Sequence, residues 1–89
     1  MTVCKRVIYR GQVQGVGFRA TASNLADGFA VAGTVRNVAD GSVELIVQGE
    51  PDQVDGLLAA IARRMRPYIT VQDVQQAACT ALDGFHIIC

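Results

Sequence analysis

The chain has 89 residues, of which 51% are hydrophobic and 18% charged, and its lysines and arginines balance its acidic residues to a formal net charge of zero. This length and composition predict one domain over residues 1–89 and exclude a disordered chain. Zero net charge argues against a nucleic-acid partner, because that affinity depends on neutralising many phosphates. A small anionic ligand stays compatible with these totals.

The cysteines and the N-terminus both bear on location. Cys4, Cys79 and Cys89 are odd in number, widely spaced and without a CxxC pair, so they predict neither a disulfide framework nor a zinc site, and they suit a reducing compartment as thiols. Lys5 and Arg6 interrupt any signal-peptide core, and no apolar run approaches the length that spans a membrane. We therefore expect a cytoplasmic protein with no membrane partner and no zinc site. We also expect a monomer.

The first predicted strand runs from Val3 to Val13, is rich in β-branched and aromatic residues, and ends in a glycine loop. A helix is predicted next, because apolar residues recur at helical spacing at Phe18, Ala22, Leu25 and Ala26. Gly28 closes this helix. Two extended runs, 29–37 and 42–49, follow, and the Asp40-Gly41 pair between them is a strong signal for a β-hairpin.

The second half of the chain completes the order βαββαβ. Pro51 suits the first position of a helix, whose apolar stripe is Val54, Leu57, Leu58, Ile61 and Met65. Arginines close that helix and Pro67 stops it, and runs 69–74 and 85–88 predict a fourth and a fifth strand. The fold class predicted is α+β: a ferredoxin-like sandwich with an antiparallel sheet and two helices on one face.

The glycine loop has the composition of an anion-binding site. Between Gly11 and Arg19 the sequence is GQVQGVGFR, and its glycines let backbone N–H groups converge on one anion. A helix that begins at Phe18 adds its positive end. Arg19 in the first turn offers a planar cation that matches two phosphate oxygens at once.

This segment, followed by GTVRN (33–37), ADG (39–41) and VELIVQGE, resembles the acylphosphatase family over almost the whole chain. The resemblance implies that the phosphate is wrapped by Gln14, Gly15, Val16, Gly17, Phe18 and Arg19. It also implies that Arg19 binds the phosphate and that Asn37 holds the attacking water. The implied reaction is hydrolysis of a carboxyl–phosphate anhydride, without metal or cofactor.

Such chemistry needs few groups, because an acyl phosphate already carries a good leaving group and the protein has mainly to position it and stabilise charge. A neutral amide at Asn37 cannot deprotonate water, so our hypothesis is that the substrate phosphate accepts the proton. The chain departs from the family pattern at Ala20, which is commonly aromatic, at Thr34, commonly tryptophan, and at Val38, often a hydroxyl residue. Ala30 stands where the family has a helix-ending glycine, a task that Gly28 could take over.

Other interpretations of the same residues are weaker. Gly15, Gly17 and Ala20 also spell GxGxxA, but a dinucleotide site needs an acidic residue where the second strand ends in Asn37. An RNA-binding sheet lacks its stacking aromatics here, and a Walker-type loop lacks its lysine. The glycines and Asn37 taken singly would be ordinary turn residues, and His86 is interpreted as structural. The alternative function is a catalytically weak module that binds phosphate or carbamoyl phosphate.

Overall fold

Two helices cover one face of a five-stranded sheet in the computed structural model, which describes residues 1–88. The elements are β1 (Val3–Gly11), α1 (Phe18–Ala26), β2 (Val31–Asn37), β3 (Val43–Gly49), α2 (Pro51–Arg64), a 3-10 turn (Arg66–Tyr68), β4 (Ile69–Gln76) and β5 (Phe85–Ile88). The strand order is β4-β1-β3-β2-β5. The predicted ferredoxin-like α+β fold is confirmed. No helix in the described part of the chain is long and apolar enough to cross a membrane.

The sheet is mixed, whereas an antiparallel sheet was predicted. Strand β5 lies parallel to β2, with Gly33 opposite Phe85 and Val35 opposite Ile87, and the other neighbouring strands are antiparallel. The chain reverses direction between β4 and β5, and β2 runs opposite to β4. Strand β5 therefore has to be parallel to β2 when it joins that edge.

The core lies between the sheet and the helices. Alternate strand residues face the helices and are fully buried: Val7, Tyr9, Val35, Val43, Leu45 and Val47. From α2 the predicted stripe meets them, with Val54, Leu57 and Ile61 at 0% exposure. The hydrophobic pattern of α2 identified its buried face correctly because a helix brings residues three and four apart onto one side.

Two boundaries differ from the sequence prediction for local reasons. Strand β1 ends at Gly11 instead of Val13, because Gly11 has φ +125° and Gln12 N–H then bonds the Tyr68 carbonyl at 2.9 Å. Helix α1 ends without a left-handed residue. The N–H groups of Gly28 and Phe29 bond carbonyls three residues back, at 3.0 Å each, so Gly28 needs no positive φ.

The prediction that Cys4 and Cys79 are separate thiols is wrong, because the structure joins these two residues in a disulfide with their Cα atoms 5.3 Å apart. Strand β4 runs antiparallel beside β1, which returns the residues after Gln76 to Cys4, and Ala77 N–H bonds the Cys4 carbonyl at 2.9 Å. Spacing along the sequence does not show this pairing. The prediction for Cys89 lies outside the described residues.

Reducing this disulfide is expected to lower the free energy of unfolding by about 2–4 kcal/mol, because it closes a loop of sequence separation 75 in the unfolded chain. Urea unfolding with and without a phosphine reductant measures the difference. Cys79→Ser is the matched control: its urea midpoint should equal that of the reduced wild type and should not change when the reductant is added. Equal midpoints for the oxidised and reduced wild type would contradict the prediction.

Tyr9 carries a polar atom that the core does not satisfy. Its side chain is 0% exposed, its ring packs on Phe18 with centroids 4.8 Å apart, and its hydroxyl has no hydrogen-bond partner within residues 1–88. Burial raises the pKa of this phenol above its usual value. We expect Tyr9→Phe to raise the free energy of unfolding by roughly 1 kcal/mol, since an unpaired buried hydroxyl costs about that much. Urea unfolding beside Tyr68→Phe, at an exposed position, tests this, and a loss of stability would contradict it.

Candidate active site

The loop between β1 and α1 turns its backbone toward one point. Gly15 and Gly17 have φ of +79° and +77°, and no other residue type in the described chain has a positive φ, so Val16 lies between them with a negative one. A Cβ added at either glycine would meet nothing within 4 Å. Glycine is therefore required by the backbone conformation and not by crowding, and this alternation forms a concave array of N–H groups that suits an anion.

Helix α1 adds donors at the same place. It begins at Phe18, no side chain caps it, and the Gly17 carbonyl accepts its first hydrogen bond from Thr21 N–H at 2.9 Å. The N–H groups of residues 15–20 donate no hydrogen bond to the part of the chain that the structure describes. Free N–H groups at the positive end of a helix attract negative charge.

These donors surround a pocket of about 240 Å³. Its lining consists of Val13, Gly15, Gly17, Phe18, Arg19, Ala20, Asn37 and Ile87. The fold thus brings together Arg19 and Asn37, which the sequence places on different elements.

Arg19 is half-buried and has no hydrogen bond or ion pair with any side chain or carbonyl among residues 1–88. The arginines of the sheet behave differently. Arg6 and Arg36 both bind Glu44, at 2.7 and 2.8 Å, and Arg10 binds Asp40 at 3.3 Å. The guanidinium of Arg19 is therefore available to a ligand in the pocket.

Asn37 is the last residue of β2, and several hydrogen bonds hold the hairpin that follows it. Val38 N–H bonds the Ser42 carbonyl at 2.8 Å, and Asp40 accepts hydrogen bonds from the Ser42 N–H at 2.9 Å and from its hydroxyl at 2.5 Å. These bonds from Ser42, together with Arg10, lower the pKa of Asp40 to about 2. The carboxamide of Asn37 makes no side-chain hydrogen bond within the described residues, so it can receive a water or a substrate atom.

The side chain of Gln14, predicted to touch phosphate, has different partners in the structure. Its carboxamide N–H₂ donates to the Val38 carbonyl at 2.8 Å and to the Ser42 carbonyl at 2.9 Å. It therefore ties the glycine loop to the hairpin that carries Asn37. Val16 and Phe18 have only backbone groups to offer an anion, since the Phe18 side chain is buried in the core.

We expect Gln14→Ala to lower kcat by roughly ten- to a hundredfold, because a displacement of about 1 Å between reacting groups can cost that much. Affinity for inorganic phosphate should change much less, since the loop keeps its own donors. Steady-state kinetics with phosphate inhibition separate the two effects. Gln12→Ala, at an exposed position of the same loop, is the control, and an unchanged kcat in Gln14→Ala would contradict the positioning role.

Val13 and Ile87 line the pocket but were not predicted to do so, and Ala20 was singled out in the sequence only as a departure from the family pattern and as part of the GxGxxA match. Ile87 carries no local signal, because it reaches the pocket only through the pairing of β5 with β2. Within residues 1–88 no group of three or more His, Cys, Asp or Glu side chains is placed to hold a metal ion. His86 contacts the Asp83 carbonyl at 2.7 Å.

The protein is thus a ferredoxin-like α+β domain with a small pocket, whose lining of backbone donors, one guanidinium and one carboxamide suits an anion. The acylphosphatase family model matches residues 5–87, and the chain belongs to the acylphosphatase family, hydrolases that act on acid anhydrides.

Individual relatives agree with the family assignment. The chain is 34% identical to an acylphosphatase of Methanothrix thermoacetophila over 99% of each chain. It is 35% identical to one of Lacticaseibacillus paracasei, over 93% of this chain and 89% of that one. The crystal structure of acylphosphatase from Bacillus subtilis superposes with a TM-score of 0.89 over 100% of both chains, at 28% identity.

Proposed function

We propose that Arg19 and Asn37 carry out the hydrolysis of small acyl phosphates, Arg19 as the phosphate clamp and Asn37 as the residue that positions the attacking water. The observation that carries this proposal is their convergence, with Gly15 and Gly17, on one pocket. The phosphoryl oxygens lie against the N–H groups of residues 15–20 and the guanidinium. A planar guanidinium can bind two of these oxygens in parallel.

The reaction follows from this placement. The Asn37 side-chain carbonyl accepts a hydrogen bond from a water and directs the water's lone pair at phosphorus. The water oxygen forms the new bond to phosphorus while the bond to the acyl oxygen breaks and the carboxylate leaves. A substrate phosphate oxygen takes the proton of the water, so inorganic phosphate is the second product. Donors fixed before the reaction stabilise the charge on the phosphoryl oxygens most, because they need no reorganisation.

Hydrolysis of benzoyl phosphate by the purified protein in EDTA tests this proposal. We expect rapid release of benzoate and phosphate that is unaffected by the chelator. Activity that disappears in EDTA and returns with a divalent ion would contradict the mechanism. A folded protein that binds phosphate without turnover would favour the alternative binding module.

We further propose one domain over residues 1–89, a monomer in the cytoplasm that acts without a nucleic-acid partner. Sedimentation equilibrium tests the monomer. The Cys4–Cys79 pair gives the location a test, because the cytoplasm keeps most thiols reduced. In a cytoplasmic protein the two cysteines that the structure joins should be kept reduced, so alkylation of intact cells should trap both as thiols. Recovery of the disulfide from those cells would contradict a cytoplasmic location.

A further inference from the structure

The lining of the pocket combines polar groups with apolar side chains, and the apolar side chains have no part in binding phosphate. Gly15, Gly17, Arg19 and Asn37 bring polar groups to the lining, whereas the side chains of Ala20 and Ile87, which we call the apolar wall, consist of carbon alone. We infer that the apolar wall receives the acyl group, so that the chain prefers acyl phosphates with an uncharged hydrocarbon acyl group over those with a second negative charge. This inference rests on the proposed function.

Ile87 is the residue that makes the apolar wall suit a hydrocarbon acyl group. On β5 it pairs with Val35 of β2, which lies two residues before Asn37. Because side chains alternate along a strand, Ile87, Val35 and Asn37 all lie on the helix-facing side of the sheet. The Ile87 side chain is nevertheless 45% exposed. An apolar side chain left exposed beside a phosphate site is available to cover the part of a substrate that is not phosphate.

Ala20 sets the size of the acyl group. It follows Arg19 in the first turn of α1, and its methyl group is exposed at the pocket, so this wall is short. The pocket volume of about 240 Å³ is below the roughly 300–1,000 Å³ of sites for drug-sized ligands. Phosphate and a short-chain or single-ring acyl group fit such a site.

The charge of the lining decides against a second anion. Among the described residues that line the pocket, Arg19 is the one ionisable side chain. Once its guanidinium is bound to the phosphate, nothing in the lining compensates a carboxylate or a second phosphate on the acyl group. Placing such a charge against apolar side chains without a partner is unfavourable.

The test compares kcat/KM for benzoyl, acetyl and succinyl phosphate, of which the last carries an extra carboxylate. The wild type should prefer benzoyl phosphate. Ile87→Thr should lower the benzoyl-to-acetyl ratio roughly tenfold, because one methylene in an apolar pocket is worth about 10- to 200-fold in discrimination. Ile87→Lys should raise the succinyl-to-benzoyl ratio by at least as much, because it adds the missing cation.

Ile88→Thr is the matched control, since Ile88 is 40% exposed on the same strand and its side chain faces the other side of the sheet. It should keep the wild-type ratios, and it therefore controls for any general effect of substitutions in β5 on folding. Unchanged ratios in both Ile87 variants, or a wild-type preference for succinyl phosphate, would overturn this inference alone. A wild type that hydrolyses none of the three substrates would overturn the proposed function and the inference with it.

Discussion

Arg19→Lys is expected to lower kcat/KM for benzoyl phosphate by about 100- to 1,000-fold, the loss measured when one well-aimed donor is removed from a comparable anion site. Lysine keeps the charge but replaces a planar fork by a point charge, so it cannot bind two phosphoryl oxygens in parallel. No other cation lines the described pocket to replace it. Initial rates and inhibition by inorganic phosphate measure the loss, and both catalysis and phosphate binding should weaken.

The control for Arg19→Lys is Arg64→Lys. Arg64 is exposed in the last turn of α2, where it has no ion-pair partner within residues 1–88, so this variant should keep wild-type activity. Arg19→Ala should be at least as impaired as Arg19→Lys. Near-full activity in Arg19→Lys would show that charge alone is sufficient and would remove the clamp assignment.

How well the sequence predicted a feature of this molecule depends on how far apart along the chain the interacting residues lie. The stripe of α2 and the Asp40-Gly41 hairpin follow from local periodicity and turn chemistry, and the structure contains both. Arg19 and Asn37 came from a motif resemblance, and only the packing of α1 against β2 brings them to one pocket.

The features that sequence did not predict all depend on tertiary neighbours. The Cys4–Cys79 disulfide follows from the antiparallel register of β1 with β4. The Gln14 side chain donates its hydrogen bonds to backbone carbonyls, which every residue has. The residue types in the hairpin therefore could not predict these bonds. Ile87 reaches the pocket through a parallel strand pairing that was expected to be antiparallel.

Removing the carboxamide of Asn37 should separate catalysis from binding. We expect Asn37→Ala to lower kcat by about 100- to 1,000-fold, by analogy with the loss of one side-chain amide from an oxyanion site, while the inhibition constant of inorganic phosphate stays within about threefold. Phosphate affinity is retained because Arg19 and the N–H groups of residues 15–20 are untouched. Steady-state kinetics with phosphate as inhibitor give both quantities.

Asn37→Asp distinguishes positioning of the water from general-base catalysis. A carboxylate could accept a proton from water, but here it would face the bound phosphate and repel it, so we expect weaker phosphate inhibition as well as a low kcat. Asn24→Ala, at an exposed position of α1, controls for the loss of an amide and should behave as wild type. A rate in Asn37→Asp above that of wild type would contradict the positioning role, because it would mean that a general base at this position accelerates the reaction. Loss of phosphate binding in Asn37→Ala would instead place Asn37 on the phosphate, because a residue that holds only the water has no part in the affinity for the product.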